Sequence, residues 1–258
     1  MTDFAPPVSE QPAVLPEKRK EQEPWRRRLA RAALIAFAAF VFLPYLLTVL
    51  YVFANPPFSA LMLRQMLRGH GVTYEWRDLD QISPNLIAQV ITSEDARFCK
   101  HWGVDWKALD KALDAAAEGK PKGGASTITM QTAKNLFLWN RPALLRKPFE
   151  IPLAYFTDFV LGKQRVVEIY LNTAEWAPGV FGAEAAAWHH FDKSANDLTA
   201  QEAAQLAAAL PNPKRRDAGR PGPRTIAAAN RLRRRATRER GDSLCVLDEP
   251  SESEETQN

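Results

Sequence analysis

Cysteine is scarce in this sequence, with two in 258 residues, Cys99 and Cys245. Cys99 falls in a helical pattern and Cys245 in a tail without apolar periodicity, so no disulfide framework is expected. Neither has a second Cys or His at zinc-ligand spacing, which excludes a zinc site. Self-similarity at a period of about 20 to 50 residues is absent, which excludes solenoids and propellers. The G-x-x-x-x-G-K-[ST] spacing of a P-loop is missing as well. Charge of one sign is not in large excess, since 34 Lys and Arg face 30 Asp and Glu. It comes in blocks instead, basic over 26–31 and 231–240 and acidic over 248–255, and such blocks mark surfaces and tails. Apolar residues at 46% and charged residues at 25% are the balance of a folded chain, of a length for one domain with appendages.

Residues 1–24, rich in Pro, Glu, Gln and Lys, read as a disordered cytoplasmic tail. Residues 25–54 read as a basic flank and transmembrane helix, because 32–54 carry no charge. At about 1.5 Å per residue that run crosses a bilayer core of about 30 Å. A buried soluble helix is rarely so long and uncharged, and no small-x-small cleavage site follows the run, which disfavours a signal peptide. Pro44 kinks such a helix without forbidding it. Arginines before the span and only Arg64 soon after it put the N-terminus in the cytoplasm and the rest across the membrane.

Residues 55–216 form the main domain. A Met- and Leu-rich helix over 59–67, packed in the core or touching the membrane, precedes a short strand over 72–76. From Asn85 the pattern is helical, with Leu86, Val90, Ile91 and Phe98 on one apolar face. Helices follow over 106–118, 127–139, 151–162, 165–171, 183–191 and 200–209, the last opened by a Thr199–Glu202 capping box. Residues 217–240 are a basic helical extension with a solvated face, or a surface for anionic lipid or polymer. Residues 241–258 read as a disordered acidic tail.

The chemistry concentrates over residues 93–150. A helix continuing past Glu94 would put Glu94, Arg97, Phe98 and His101 on one side, holding a carboxylate against an aromatic ring. Partial desolvation would raise its pKa toward the range of a general base, although an amphipathic surface helix gives the same spacing. GGASTITMQTAKN supplies glycines, hydroxyls, amides and Lys134 before a helix start, which suits an anionic ligand, as a plain connector would equally explain it. RKPFE places Arg146 and Lys147 one turn before Glu150, where surface ion pairs are also found. Two carboxylates with cations between them suit substitution at a sugar carbon while a phosphate leaves.

SEDARFCKHWG, GGASTITMQTAKN, RKPFE, KQRVVEIYLN and ALPNP, in that order, closely resemble the five motifs of the peptidoglycan glycosyltransferase family, over about residues 56–216. One span and no following transpeptidase region look like the family's monofunctional branch. The resemblance implies a mainly α, lysozyme-like, two-lobed fold behind one N-terminal transmembrane helix. It implies polymerisation of lipid II into glycan strands at the outer face of a bacterial inner membrane. Glu94 would be the general base and Glu150 the second glutamate, assisting the donor. Ser126, Thr127, Gln131, Lys134, Asn135, Arg141, Arg146 and Lys147 would bind substrate, with Lys163, Glu168, Tyr170 and Asn172 in support and residues 210–213 structural. Met130 stands where many members carry glutamine, and Pro148 and Pro152 should weaken a regular helix around Glu150.

No cofactor is required and no metal ligand set is expected, while a divalent cation at the pyrophosphate is compatible with the resemblance. The implied partners are lipid II, the growing strand, the membrane and cell-wall synthesis or division proteins, and no nucleic acid. A lytic muramidase would need one catalytic acid and no pyrophosphate cations. A non-catalytic scaffold using the basic helix is the reading from another class.

Overall fold

The computed structural model describes residues 23–119, 124–139, 142–238 and 243–247. Most of both expected tails, and Arg141, lie outside the described residues. Nine α-helices and three short strands occur among those described, which is the mainly α class expected.

The chain divides into Met1–Phe42 and Leu43–Asn258, within helix α1 (Glu23–Leu50). Helix α1 starts inside the stretch read as tail and stops four residues before Ala54, at a turn over 51–53. Trp25–Leu50 is long and apolar enough to cross a membrane by length and composition. Leu34, Ile35, Phe37 and Phe42 are exposed along it, unlike the apolar face of a soluble core helix.

In the second unit Ser59 caps α2 (Ala60–Leu67), its Oγ accepting from the Met62 N–H at 3.2 Å. Met62 is buried, whereas Leu63, Met66 and Leu67 stay exposed. Strand β1 (Thr73–Tyr74) joins a sheet of order β1-β3-β2 with β2 (Glu175–Ala177) and β3 (Val180–Phe181). β1 runs parallel to β3 and β2 antiparallel to it, so chain from either side of the domain meets here.

Helix α3 (Pro84–Glu94) opens with proline at its first turn, where the missing N–H costs nothing. Leu86, Ile87, Val90 and Ile91 enter the main core with Phe98, Val166, Val167 and Tyr170. Full burial of each aliphatic side chain contributes about 1.5–3 kcal/mol. The helix does not continue to His101 as expected. Asp95 turns to φ −158°, ψ 70°, and Phe98 sits in a short 3-10 turn, Phe98–Lys100. The Asp95 side chain competes for local backbone pairing by bonding a distant helix start.

After α4 (Trp106–Ala117), Thr127 caps α5 (Ile128–Phe137). Helix α6 (Ala143–Thr173) packs along α5 and is broken at Gly162, whose φ of 70° suits glycine. Contrary to expectation, its helical run continues through Pro148 and Pro152. Both prolines and the residues four before them, Leu144 and Pro148, lie on the exposed side, so the freed carbonyls can meet water.

Helix α7 (Ala183–Phe191) and α8 (Ala200–Ala209) follow. The expected box is present, with Thr199 Oγ1 accepting from Glu202 N–H at 3.3 Å and Glu202 Oε2 accepting from Thr199 N–H at 2.9 Å. Helix α9 (Pro223–Arg238) buries Thr225, Ala229 and Ala236 while packing on α8 and α3. Its arginines 231, 233, 234 and 235 face outward.

One expectation is overturned by a disulfide between Cys99 and Cys245, with Cα atoms 5.7 Å apart. The end read as loose tail folds back over residues 243–247, burying Val246 in the main core. Gln164 Nε2 donates to the Val246 carbonyl at 3.3 Å. A 146-residue separation concealed that pairing in the sequence.

Candidate active site

Glu94 is the last residue of α3, so its carboxylate stands at the negative end of the helix. It is half-buried on a cleft of about 660 Å³. Gln131, Lys134 and Asn135 face the same cleft from α5, because steps of three and four residues share one helix face. Gln131 Nε2 donates to Glu94 Oε2 at 3.0 Å, and the Tyr170 hydroxyl donates to Gln131 Oε1 at 3.4 Å. Burial pushes the Glu94 pKa above the usual glutamate value, while the Gln131 bond and the Lys134 charge oppose that rise. Burial, then the neighbouring Arg146, pulls the Lys134 pKa down. Burial holds the Tyr170 hydroxyl well above its ordinary pKa, so it remains a donor. The expected rise through desolvation holds for Glu94 in direction and cause, although α3 ends at Glu94 and does not continue as a helix to Phe98.

Glu150 is 1% exposed and lies on α6 rather than on the cleft wall. Arg146 Nε meets its Oε2 at 2.5 Å and Lys147 Nζ its Oε1 at 2.9 Å. Arg146 Nη1 also donates to the Trp139 carbonyl at 3.0 Å. Lys147 Nζ donates to Ser126 Oγ at 3.3 Å, and Ser126 does line the cleft. The two carboxylates thus belong to one electrostatic group, joined through Lys134, which both Glu94 and Glu150 influence.

The expected residues are therefore in three positions. Glu94, Ser126, Gln131, Lys134 and Asn135 share the cleft. Arg146, Lys147 and Glu150 form the cluster behind it. Thr127 is buried, its hydroxyl donating to the Gly103 carbonyl at 2.5 Å and accepting from Met130 N–H at 3.1 Å. Gly103 cannot be replaced easily there, since a Cβ would stand 2.6 Å from the Ala154 carbonyl oxygen. Met130 is buried with Val104 and Ala154, away from the cleft. Residues Leu210, Pro211 and Pro213 of the fifth motif border the cleft. Among the described residues no three His, Cys, Asp or Glu side chains are placed to hold a metal ion.

Sequence reasoning missed Asp95. Its Oδ2 accepts from the Ile128 N–H at 3.1 Å, anchoring the start of α5, and both its oxygens lie 3.0 Å from His101 Nε2. Lys163 Nζ then donates to the His101 carbonyl at 2.7 Å and to Asp158 Oδ1 at 2.8 Å, while Thr129 donates to the same Asp158 oxygen. This network fixes α5 against the end of α3, and hence Lys134 and Gln131 relative to Glu94. The one available signal was a second carboxylate directly after Glu94 in SEDARF.

Comparison with known proteins agrees with this architecture. The profile of the family described as Transglycosylase matches residues 62–238, more than half of the chain. A protein of Rhizobium leguminosarum bv. trifolii named biosynthetic peptidoglycan transglycosylase is 47% identical over 211 residues, covering 81% of this chain and 91% of the relative. A protein of the same name from Agrobacterium fabrum is 47% identical over 225 residues, covering 86% and 99%. Another so named, from Nitrobacter hamburgensis, is 49% identical over 213 residues, covering 81% and 94%. With a matching profile over most of its length and relatives this similar, the chain belongs to the Transglycosylase family.

Proposed function

We infer that this chain is a peptidoglycan glycosyltransferase that polymerises lipid II into glycan strands for the bacterial cell wall. Family membership carries the class of reaction. The observation that carries the chemistry is Glu94, with its pKa raised by burial, on one cleft with the Lys134 ammonium.

In this reading Glu94 takes the proton from the 4-hydroxyl of the acceptor sugar as its oxygen bonds to the anomeric carbon of the donor. The bond from that carbon to the pyrophosphate oxygen breaks on the opposite face, inverting the centre. Undecaprenyl pyrophosphate departs with the electron pair. Lys134 and Lys147 stabilise the negative charge that grows on it, and Ser126 and Asn135 orient the sugars. Glu150 holds Arg146 and Lys147 by charge-assisted bonds and so acts as a positioning residue. Arg141 is proposed to join them by resemblance alone. A muramidase would have no use for this cluster of cations beside its acid.

The reading assigns no cofactor, and a divalent cation at the pyrophosphate is left to be tested by chelation. It places the N-terminus in the cytoplasm and the catalytic domain on the periplasmic side of the inner membrane. The disulfide supports that side, since such bonds persist in oxidising compartments. Cell-wall synthesis or division proteins are the proposed protein partners. The test is polymerisation of lipid II by the full chain, followed as product length. Polymer from the unsubstituted chain, and its loss in Glu94→Gln, is expected; equal rates for the two would remove Glu94 as the base.

A further inference from the structure

A second hollow, of about 470 Å³, lies where the first half of α3 meets α9 and the returning segment 243–247. Ligand pockets commonly measure about 300–1,000 Å³, so it is large enough to hold one. Ala88, Ala236, Leu244 and Leu247 supply its apolar lining, and among the described residues around it none is acidic. Gln89, 3% exposed, also lines it and donates through Nε2 to the Ala200 carbonyl at 2.7 Å. The other end of that amide is therefore the oxygen, and Gln89 Oε1 is buried without a hydrogen-bond partner. A buried acceptor left unpaired favours any ligand that brings it a donor. Arg233 is exposed on the same hollow. Among the described residues its guanidinium has no ion-pair partner, and neither have those of Arg231 and Arg234 beside it on α9.

We propose that this hollow docks a short acidic segment of a partner protein. An apolar side chain of that segment enters among Ala88, Ala236 and the two leucines, a backbone N–H meets Gln89 Oε1 and a carboxylate meets Arg233. Three features select this occupant. Unpaired arginines with no acid beside them attract an anion, the apolar lining favours a hydrocarbon group, and the unpaired oxygen requires a donor. A peptide carries all three on neighbouring residues. An anionic lipid brings the charge and the hydrocarbon, but its acyl chain has no donor for a buried oxygen. Residues 248–258, which continue from Leu247, hold five acidic side chains and no large apolar one, so they meet the charge alone. Among the described residues none lines both this hollow and the catalytic cleft. Helix α8 runs from one to the other, with Ala200 at the hollow and Leu210 at the cleft, about 15 Å apart along the axis. A docked partner therefore leaves the cleft open, and the inference does not depend on Glu94 as the base.

The test uses the full chain in phosphatidylcholine vesicles and, as probe, a fluorescent, terminally blocked peptide of alternating leucine and glutamate, its binding followed by anisotropy. Saturable binding is expected, weakened at least roughly fivefold by Arg233→Gln and equally by Leu244→Glu, which sets a like charge at the apolar wall. Both positions are exposed, so both variants should fold. The same peptide with glutamine for glutamate, or with N-methylated leucines that have no N–H to donate, should bind the unsubstituted chain at least roughly fivefold more weakly. Lipid II turnover should be the same in both variants and with saturating peptide. No saturable binding, or affinity unchanged by both substitutions or by both peptide changes, would overturn the inference. Displacement of the probe by short-chain phosphatidylglycerol at lower concentration than by unlabelled peptide would overturn it in favour of a lipid. Binding at least roughly fivefold tighter after removal of residues 248–258 would overturn it in favour of the chain's own end. Inhibition of turnover by the peptide would place the probe in the cleft and overturn it as well. Failure of the unsubstituted chain to polymerise lipid II would count against the proposed function alone, since the binding measurement needs no turnover.

Discussion

Gln131 holds Glu94 through one end of its amide and is held through the other by Tyr170, with Nε2 on the carboxylate at 3.0 Å and Oε1 receiving the hydroxyl at 3.4 Å. The amide bond steadies the ionised form of Glu94 against the burial that disfavours it. Gln131→Leu should therefore move the Glu94 pKa further up. A base works only when deprotonated, so the acidic limb of the kcat/KM profile should shift to higher pH. Tyr170→Phe should shift it the same way by less, since only the orientation of the amide is loosened. A profile recorded between about pH 5 and pH 9 checks this. A limb that stays in place or moves to lower pH in Gln131→Leu would contradict the role given to the amide.

Glu94 should lower stability as well as support catalysis. Its folded pKa lies above its unfolded one, so the folded chain binds more protons through the interval between the two. Stability is therefore lost as pH rises through that interval, and the full cost is present above the folded pKa. Glu94→Gln removes the ionised form, so the variant should unfold at higher temperature than the parent at neutral pH and at the same temperature below the unfolded pKa. Its turnover should fall by about 10²–10⁴-fold, the usual contribution of a general base. Thermal unfolding at two pH values, beside the polymerisation assay, reads both effects. Equal melting temperatures at neutral pH would show that burial imposes no cost on the carboxylate.

At Glu150 the opposite sign is expected. Arg146 and Lys147 both close on this buried carboxylate, and Arg146 is itself 6% exposed. Glu150→Gln would leave a buried guanidinium without its counter-charge, and removal of one partner from a buried pair costs about 3–5 kcal/mol. Denaturant unfolding should show that loss, and activity should fall because the cations are no longer held. A variant as stable as the parent but inactive would move Glu150 from positioning into direct contact with substrate.

What could be read in the sequence was local or lay within one motif. Thr199 and Glu202 announce α8 because both halves of the box lie within four residues, and Gln131, Lys134 and Asn135 share a face by helical spacing alone. The charge-free run that supplies most of α1 is similarly self-contained. The end of α3 was not legible, because it depends on Asp95 bonding Ile128, thirty-three residues away. The tolerance of Pro148 and Pro152 was hidden for a related reason, since it depends on which side of α6 meets water. Lys163 reaches His101 and Asp158 across the fold, and residues 243–247 return to a core begun more than a hundred residues earlier.

The pairing of Cys99 with Cys245 provides the last test. Cys99 lies five residues after Glu94, and Cys245 ties residues 243–247 against the same core, where Val246 and Ser243 are buried. A bond closing so long a loop restricts the unfolded chain, and removal of a native disulfide costs about 2–5 kcal/mol. Cys245→Ser should therefore lower the unfolding free energy by that order. Glu94 should keep its chemistry in the variant, because the Asp95 and Gln131 contacts do not run through the disulfide. Protein isolated from membranes without reductant should yield a cross-linked peptide pair by mass spectrometry. Recovery of both thiols free would place the domain in a reducing compartment and remove the support that the disulfide lends to the periplasmic assignment.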